Sequence, residues 1–146
     1  MPDIPNNEIK LVGVILVDSK FLRIPDAVFD GKEENNFKIE LNAKVNEDSK
    51  FATGINFILT SKNLDKEQVN LELNYIGLFE TSELNQEQKT NFAYINAPAI
   101  IYPFIRQYVY SLCSYANLPN IILPILNFVK LSEERGYISK KEVVAK

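Results

Sequence analysis

Cysteine is the side chain best suited to act as a nucleophile in this sequence, and it occurs once, at Cys113. A nucleophilic cysteine needs a neighbouring base, most often a histidine, to hold it as the thiolate. The sequence has 0 histidines, so the commonest general base and metal ligand is absent. Cys113 also lies in an apolar segment, where a free cysteine usually packs as a small hydrophobic side chain. We therefore expect Cys113 to be structural.

Carboxylates could perform acid–base chemistry, and they occur as three adjacent pairs, Glu33-Glu34, Glu47-Asp48 and Glu133-Glu134. Neighbouring residues do not share a helix face, and these pairs have polar surroundings, so a solvated surface explains all three. The sequence contains neither a glycine-rich phosphate loop nor a pair of metal-binding cysteines. We predict that the protein is not an enzyme, and that it uses no cofactor and no metal ion.

Length and charge limit the remaining classes of protein. The 146 residues suit a single domain, 1–146, that is large enough to bury a core. The net charge of -3, without a stripe of Lys and Arg, disfavours nucleic acid as a partner. The N-terminal sequence lacks a signal-peptide pattern, and Pro103 and Arg106 interrupt the most apolar stretch, which argues against membrane insertion. With a single cysteine that fits a reducing compartment, we expect a cytoplasmic protein.

Four segments have the pattern of β-strands. The last three alternate apolar and polar residues and span 37–45, 51–60 and 69–75. The first, 9–17, is apolar on both faces and could extend to Ile24. Such a strand needs a cover on each face, either from a second subunit as well as the chain's own helices, or as the centre of a monomeric sandwich. Short polar links between the strands predict an antiparallel β-meander.

A long helix is expected after the last strand. Residues 100–116 are apolar on nearly all sides, which is typical of a helix that is buried all round and again indicates a partner subunit. If the helix starts near Pro98, Pro103 lies one turn inside it and should kink it. The preceding polar stretch 81–91 could form a helix start, with Ser82 as its cap.

A shorter second helix is expected near the end of the chain, where Asn127 can cap it. Further on, Gly136 interrupts any single long helix, although Ser139 and Glu142 have the spacing of a capping box. Strands followed by helices define the α+β class. The sequence thus predicts a four-stranded antiparallel β-meander with two C-terminal helices packed on one face.

The link between the two helices is unusually apolar. Loops lie on the surface and are normally polar. This one contains six large aliphatic side chains, Leu118, Ile121, Ile122, Leu123, Ile125 and Leu126. Either the loop packs beneath other elements, or it forms an apolar surface that a partner covers.

The same region resembles the SecB-type export chaperones, clearly so from Glu72 to Leu131. Members of that family have a helix entered through a proline, with a pattern that is matched here by Pro98, Ile100, Pro103 and Arg106. A crossover loop with two prolines follows in the family, and 118–128 is similar to it, although its second proline comes one residue early. Upstream, 72–79 resembles the family's strand ending in Gly-Ile-Phe.

The resemblance implies an ATP-independent holdase that binds unfolded or aggregation-prone polypeptides in long apolar grooves. One wall of the groove would be the second strand, with Phe37, Ile39 and Leu41. The other wall would be the crossover loop, with Leu118, Ile121, Leu123, Ile125 and Leu126. Proteins of this kind form homotetramers as dimers of dimers. The subunit contacts would come from the first strand and the long helix, through Val12, Val14, Leu16, Tyr108, Ser111 and Tyr115.

Export members of the family pass clients to the SecA motor through acidic residues on the exposed face of the sheet. Glu72 matches one such position, but Ser19 and Arg23 stand where the family has acids, with Asp18 one step away. Because charge complementarity guides partner choice, Arg23 should weaken that contact. Other SecB-like proteins protect an antitoxin in a toxin–antitoxin system, which is an alternative role. Outside the chaperone class, an interaction module or small-lipid binder could use the same apolar surface.

Overall fold

A computed structural model describes residues 9–46 and 48–139 of the chain. In chain order the elements are β1 (Lys10–Arg23), β2 (Glu34–Val45), β3 (Lys50–Asn63), β4 (Lys66–Glu80), α1 (Gln86–Tyr115) and α2 (Phe128–Glu134). Each predicted strand is present, and the last three are longer than predicted because residues beyond the predicted ends also pair with the neighbouring strand. The α+β class, with an antiparallel sheet followed by two helices, is confirmed.

The strands form one sheet in the order β1-β4-β3-β2. Strands β2, β3 and β4 are a meander, and in the tight β3–β4 turn Leu64 and Asp65 both have positive φ. The meander prediction is wrong for β1, which pairs with β4 instead of β2. The link 24–33 makes this possible because it crosses the end of the sheet, where the side chains of Asn63 and Gln68 bind the carbonyl oxygen of Val28.

The sheet has two faces with different cover, because side chains alternate along each strand. We call the face that packs against α1 the inner face. It carries the centre of the core, where the side chains are almost fully buried: Ile55, Phe57, Leu59, Leu71 and Leu73. The outer face carries the alternate residues, which stay half-buried along most of β3 and β4.

Strand β1 departs from simple alternation at two bulges, between Leu11 and Gly13 and between Leu16 and Asp18. At a bulge, two consecutive residues oppose one residue of the neighbouring strand, so the faces of the following residues shift. Val12 and Val17 are the extra residues, and both are exposed. Sequence alternation could not reveal the bulges, because β1 is apolar on both faces.

Helix α1 begins well before Pro98, at a cap formed by Asn85. The Asn85 side chain accepts a hydrogen bond from the Gln88 N–H, and the Gln88 side chain accepts one from the Asn85 N–H. The predicted cap, Ser82, is therefore wrong, although the polar stretch does contain the helix start. The helix continues through both Pro98 and Pro103 without a break.

A contact from α2 explains how α1 accommodates Pro98. Proline lacks the backbone N–H that would bind the carbonyl oxygen four residues earlier, here that of Tyr94. The hydroxyl of Ser132, which is fully buried, donates a hydrogen bond of 2.7 Å to this oxygen instead. The second helix thus supplies the donor that the proline removes.

Helix α2 is short, and Asn127 caps it as predicted by accepting a hydrogen bond from the Lys130 N–H. Gly136 follows the helix with a φ of 72°. This left-handed conformation favours glycine and ends the helix. The predicted capping box further on includes Glu142, which lies outside the described residues.

Candidate functional site

The apolar link between the helices, residues 118–126, is called the crossover segment. It has no helix or strand, and its side chains alternate between the interior and the solvent. Ile121 and Leu123 are buried, whereas Ile122 is 82% exposed and Ile125 is 94% exposed. The segment therefore combines both arrangements that its sequence allows: one set of side chains packs into the core and the other faces outward.

Two hydrogen bonds hold the crossover segment against α1. The Leu118 N–H donates to the carbonyl oxygen of Cys113 at 2.8 Å. The Tyr102 hydroxyl donates to the carbonyl oxygen of Pro124 at 2.6 Å. Burial raises the pKa of Tyr102 above its usual value of 10.0, although Arg106 acts in the opposite direction. Tyr102 therefore keeps its proton, and the hydrogen bond, at physiological pH.

Four of the residues predicted to form the two groove walls are buried, and the other four are not. Ile39 and Leu41 of β2 are buried in the same apolar cluster as Ile121 and Leu123 of the crossover segment. Three of the other predicted residues are half-buried against this cluster, Phe37, Leu118 and Leu126, and Ile125 is exposed.

Side chains from the helical layer cover the free edge of β2. Gln86 of α1 donates to the carbonyl oxygen of Val45 at 2.8 Å, and Arg135 beyond α2 donates to that of Ile39. An uncovered edge strand would offer its N–H and C=O groups to another chain. These hydrogen bonds engage part of that edge, at Val45 and Ile39.

A cavity of about 750 Å³ opens between the first turns of α1 and the end of α2. Tyr137 on its wall stacks on Tyr94 at a ring distance of 4.8 Å, which attaches the end of the described chain to α1. The lining combines apolar side chains with carboxylates: Ile95, Val129, Ile138, Glu87 and Glu133. The sequence did not point to this cavity, since its residues come from segments that are far apart and show no common motif.

Most of the predicted subunit-contact residues lie together, on the side of α1 next to β1. With Tyr75 of β4, three of them line a cavity of about 390 Å³: Tyr108, Ser111 and Tyr115. Val14 packs against the core cluster and Leu16 is paired with Tyr75, which places both on the inner face. Val12 is the exception, because the first bulge puts it on the outer face, where it lines a depression with Ala52 and Leu78.

The outer face carries a network of amides and carboxylates that joins three strands. Asn56 donates to Glu72 at 2.8 Å and to Asn74 at 2.9 Å, and Asn74 donates to Asp18 at 2.7 Å. The network holds two carboxylates on one surface. Glu72 therefore lies on the outer face, as the resemblance implies, with Asp18 beside it.

Ser19 and Arg23 do not lie on this face. The Ser19 hydroxyl is 2.6 Å from the Tyr108 hydroxyl of α1. Arg23 donates to two backbone carbonyl oxygens of the link that follows β1. The second bulge of β1 changes the faces, so that Asp18 takes the outward position. Arg23 thus lies away from Glu72 and Asp18, and its effect on a SecA contact stays a prediction.

Cys113 is buried within the core cluster, away from any accessible surface. In the described ranges 9–46 and 48–139, no three metal-ligating side chains come together. Within the same ranges, no helix is long and apolar enough to cross a membrane.

This sheet, with two helices on one face and an apolar crossover segment, defines an α+β protein whose accessible apolar surface suits the binding of other molecules. A family model described as "Preprotein translocase subunit SecB" matches residues 22–137. The chain belongs to the SecB family.

Two individual relatives show how far the similarity extends, and the second carries the SecB name. The chain is 33% identical over 93 residues to "Uncharacterized protein MJ0357" of Methanocaldococcus jannaschii, covering 63% of this chain but only 60% of that protein. It is 27% identical over 130 residues to "Protein-export protein SecB" of Roseobacter denitrificans, covering 85% of this chain and 78% of that protein. The chain thus spans less than two thirds of the first of these relatives.

A solved structure has the same fold. It is that of the Mycobacterium tuberculosis Rv1957 SecB-like chaperone in complex with a ChAD peptide from the Rv1956 HigA1 antitoxin. The TM-score is 0.73 at 20% sequence identity, and the match covers 82% of this chain and 91% of that chain.

Proposed function

We propose that this protein is an ATP-independent holdase chaperone that binds unfolded or aggregation-prone polypeptides. The observation that carries the proposal is the crossover segment, where Ile122 and Ile125 face solvent beside residues that pack into the core. Apolar burial is non-directional and contributes about 25 cal/mol per Å², so many weak contacts can hold clients of different sequence. Such holding needs no nucleotide, and membership of the SecB family supports it.

The client surface begins at the margin of the buried apolar cluster. Phe37 and Ile125 are accessible there, whereas Ile39 and Ile121 are covered by their own neighbours. Buried residues join the client surface only when the crossover segment separates from β2. Separation exposes apolar side chains, so it is favourable only when a client covers them again.

A dedicated client is the second candidate. The structural neighbour is described as a SecB-like chaperone in complex with a peptide from an antitoxin, and it shares this fold. In that role, the same surface would protect one antitoxin instead of many exported precursors. Outside the chaperone class, a module for one folded partner or a small lipid would leave unfolded polypeptides unprotected.

The proposed chaperone acts in the cytoplasm as a homotetramer, a dimer of dimers. The apolar surface of α1 next to β1 supports this assembly, since Tyr115 is exposed there and Tyr108 and Ser111 border a cavity. Val14 and Leu16 would belong to the same contact. For export, the carboxylates of Asp18 and Glu72 on the outer face would contact SecA.

Suppression of aggregation tests the proposal. A chemically denatured, unrelated protein is diluted into buffer with an excess of the chaperone, and light scattering is followed. We expect the wild-type protein to keep the substrate soluble. The double variant Ile122→Asp/Ile125→Asp should lose most of this protection because both charges would lie on the client surface. Leu64→Asp is the matched control, since Leu64 is 89% exposed but lies in the β3–β4 turn.

The outcomes separate the candidates. Because Ile122 and Ile125 are exposed, the double variant should retain the wild-type circular dichroism spectrum and unfolding temperature. Protection by a folded double variant would show that the crossover segment is not the client surface. If the wild type protects no unrelated substrate, a pull-down from native cell extract distinguishes one dedicated client from a non-chaperone ligand.

A further inference from the structure

The outer face of the sheet divides into two halves along β1. The half with the amide–carboxylate network is polar. The other half, which we call the apolar half, begins at the N-terminal end of β1. It carries three exposed aliphatic residues of β1, Val12 at 54%, Ile15 at 47% and Val17 at 53%. They adjoin Ile76 and Leu78 of β4, which oppose Ile15 and Gly13 in the register.

The two bulges of β1 create this surface. In a regular strand, Val12 and Val17 would lie on opposite faces, because five positions separate them. Each bulge adds one residue that opposes no residue of its own on β4, which brings both valines to the outer side. Such bulges re-aim side chains, and here they do so toward solvent. About half of the surface of each of these three aliphatic side chains therefore remains exposed to solvent.

The apolar half is also shallowly concave. On β3 the residues that face it are small, Ala52 and Gly54, and a Cβ on Gly54 would meet nothing nearer than a backbone oxygen at 3.5 Å. A depression of about 360 Å³ lies beside them, bordered by Val12, Lys44 and Leu78 among others. A depression of this size accepts a large apolar side chain, which favours a protruding group of a protein over the flat surface of a bilayer.

The rim of this depression is positively charged, whereas Asp18 and Glu40 lie at the other end of the apolar half, beside Val17. Lys10, Lys44 and Lys50 surround the depression, and one carboxylate, Glu80, opposes both Lys10 and Lys50 in the register. Three lysines and one glutamate give a local charge of about +2, whereas the whole chain has a net charge of -3. A partner segment that complements this rim carries carboxylates.

We propose that the apolar half of the outer face is a docking site for an acidic amphipathic segment of a partner protein. Its large apolar side chains would cover Val12, Ile15 and Val17 and enter the depression over Ala52, while its carboxylates would face Lys44 and Lys50. This site lies on the opposite side of the sheet from the crossover segment. It would allow the protein to hold a client and a docking partner at the same time.

A defined probe tests the proposal. A synthetic amphipathic peptide of about 14 residues, with leucines at helical spacing and glutamates on its flanks, is titrated into the ¹⁵N-labelled protein and followed by NMR. Amide shifts are expected along 12–17 and 76–78. The same peptide with lysine in place of each glutamate should bind about tenfold more weakly, and the difference should shrink in about 500 mM salt.

Substitutions on one strand provide matched controls. Ile15→Lys should abolish the shifts, whereas Leu22→Lys, an exposed position on the polar half of β1, should leave them unchanged. The double variant Ile122→Asp/Ile125→Asp should also bind the probe normally, so that loss of the holdase activity and loss of docking are distinguishable.

Several results would overturn the docking site. Equal binding of the glutamate and lysine peptides would remove the charge argument, and shifts confined to the crossover segment would indicate client capture. Binding of phosphatidylglycerol vesicles but not of the peptide would assign the apolar half to a membrane surface. Self-association that Ile15→Lys abolishes would assign it to a second copy of the chain.

Discussion

The two faces of the sheet use the same alternating strands in opposite ways. On the inner face, Phe57 and Leu73 are completely buried in the core beneath the helical layer. On the outer face, the residues between them, Asn56 and Glu72 among them, bind each other and stay within reach of solvent. A long helix over the inner face completes the core and leaves the outer face within reach of solvent. The inner sides of these strands therefore contribute most of their packing stability.

Removing a large side chain should give the largest difference in the free energy of unfolding between the two faces. Phe57→Ala should lower the free energy of unfolding by about 3–5 kcal/mol, because Phe57 is fully buried and the surrounding core cannot fill the cavity. Ile58→Ala, one residue along on the outer face, should cost less than about 2 kcal/mol, since water already reaches that side chain. Urea denaturation followed by circular dichroism measures both, and equal losses would show that the outer face is also closely packed.

Adding a methyl group should change the stability with opposite signs on the two faces. A Cβ on Gly77 of the inner face would lie 2.7 Å from Cδ1 of Ile101, which is buried beneath it. Gly77→Ala should therefore lower the stability by about 1–3 kcal/mol through overpacking. Gly54→Ala, on the outer face, meets only ordinary contacts and should raise the stability by about 0.5 kcal/mol. Thermal unfolding is the measurement, and a stabilising Gly77→Ala would contradict the close packing of α1.

The attachment of α2 can be tested through the carbonyl oxygen of Tyr94. Ser132→Ala should lower the stability by about 1–2 kcal/mol, because it removes the hydrogen bond that replaces the one lost at Pro98. In a Pro98→Ala background, the backbone N–H returns and the same substitution should cost less. A double-mutant cycle by urea denaturation reports the difference. Additive effects of the two substitutions would show that the Ser132 hydroxyl does not act in place of the proline's missing donor.

The smallest effect concerns Tyr75, where the inner face meets the proposed subunit contact. Burial and the neighbouring Tyr108 raise the pKa of Tyr75 above its usual value of 10.0. The folded protein therefore holds the phenolic proton more tightly than the unfolded chain does. The free energy of unfolding is unaffected by this group below pH 10 and falls as the pH rises above it. Denaturation at several pH values between about 9 and 11 should show a smaller alkaline loss for Tyr75→Phe. An identical loss in the variant would assign the effect to other groups.

The elements with a clear period were predictable from the sequence. Strands β2, β3 and β4 alternate apolar and polar residues because one face of the sheet is buried. Their positions could be predicted from that alternation. The order of the strands in the sheet could not be predicted, because β1 is apolar on both faces. Its sequence indicates neither the strand with which it pairs nor the positions of its bulges. The identity of the outward-facing residues of β1, including Asp18, depends on those bulges.

Other features depend on contacts between distant parts of the chain. Pro98 suggested a helix start because an interior proline costs about 3 kcal/mol. The structure places it inside α1, where Ser132 supplies the donor. Likewise, the sequence placed Ile39 and Ile121 near each other through the family resemblance. It did not predict that both would be buried in the same apolar cluster.

The pairing of β1 with β4 also matters during synthesis. Lys10 pairs with Glu80, a separation of 80 − 10 = 70 residues, so the first strand leaves the ribosome long before its partner exists. During that interval the β1 segment lacks its partner strand, and aliphatic segments with high β-propensity are prone to aggregate. Under the proposed function, each nascent chain at this stage resembles a client, and folded copies of the protein would be able to bind it and prevent its aggregation.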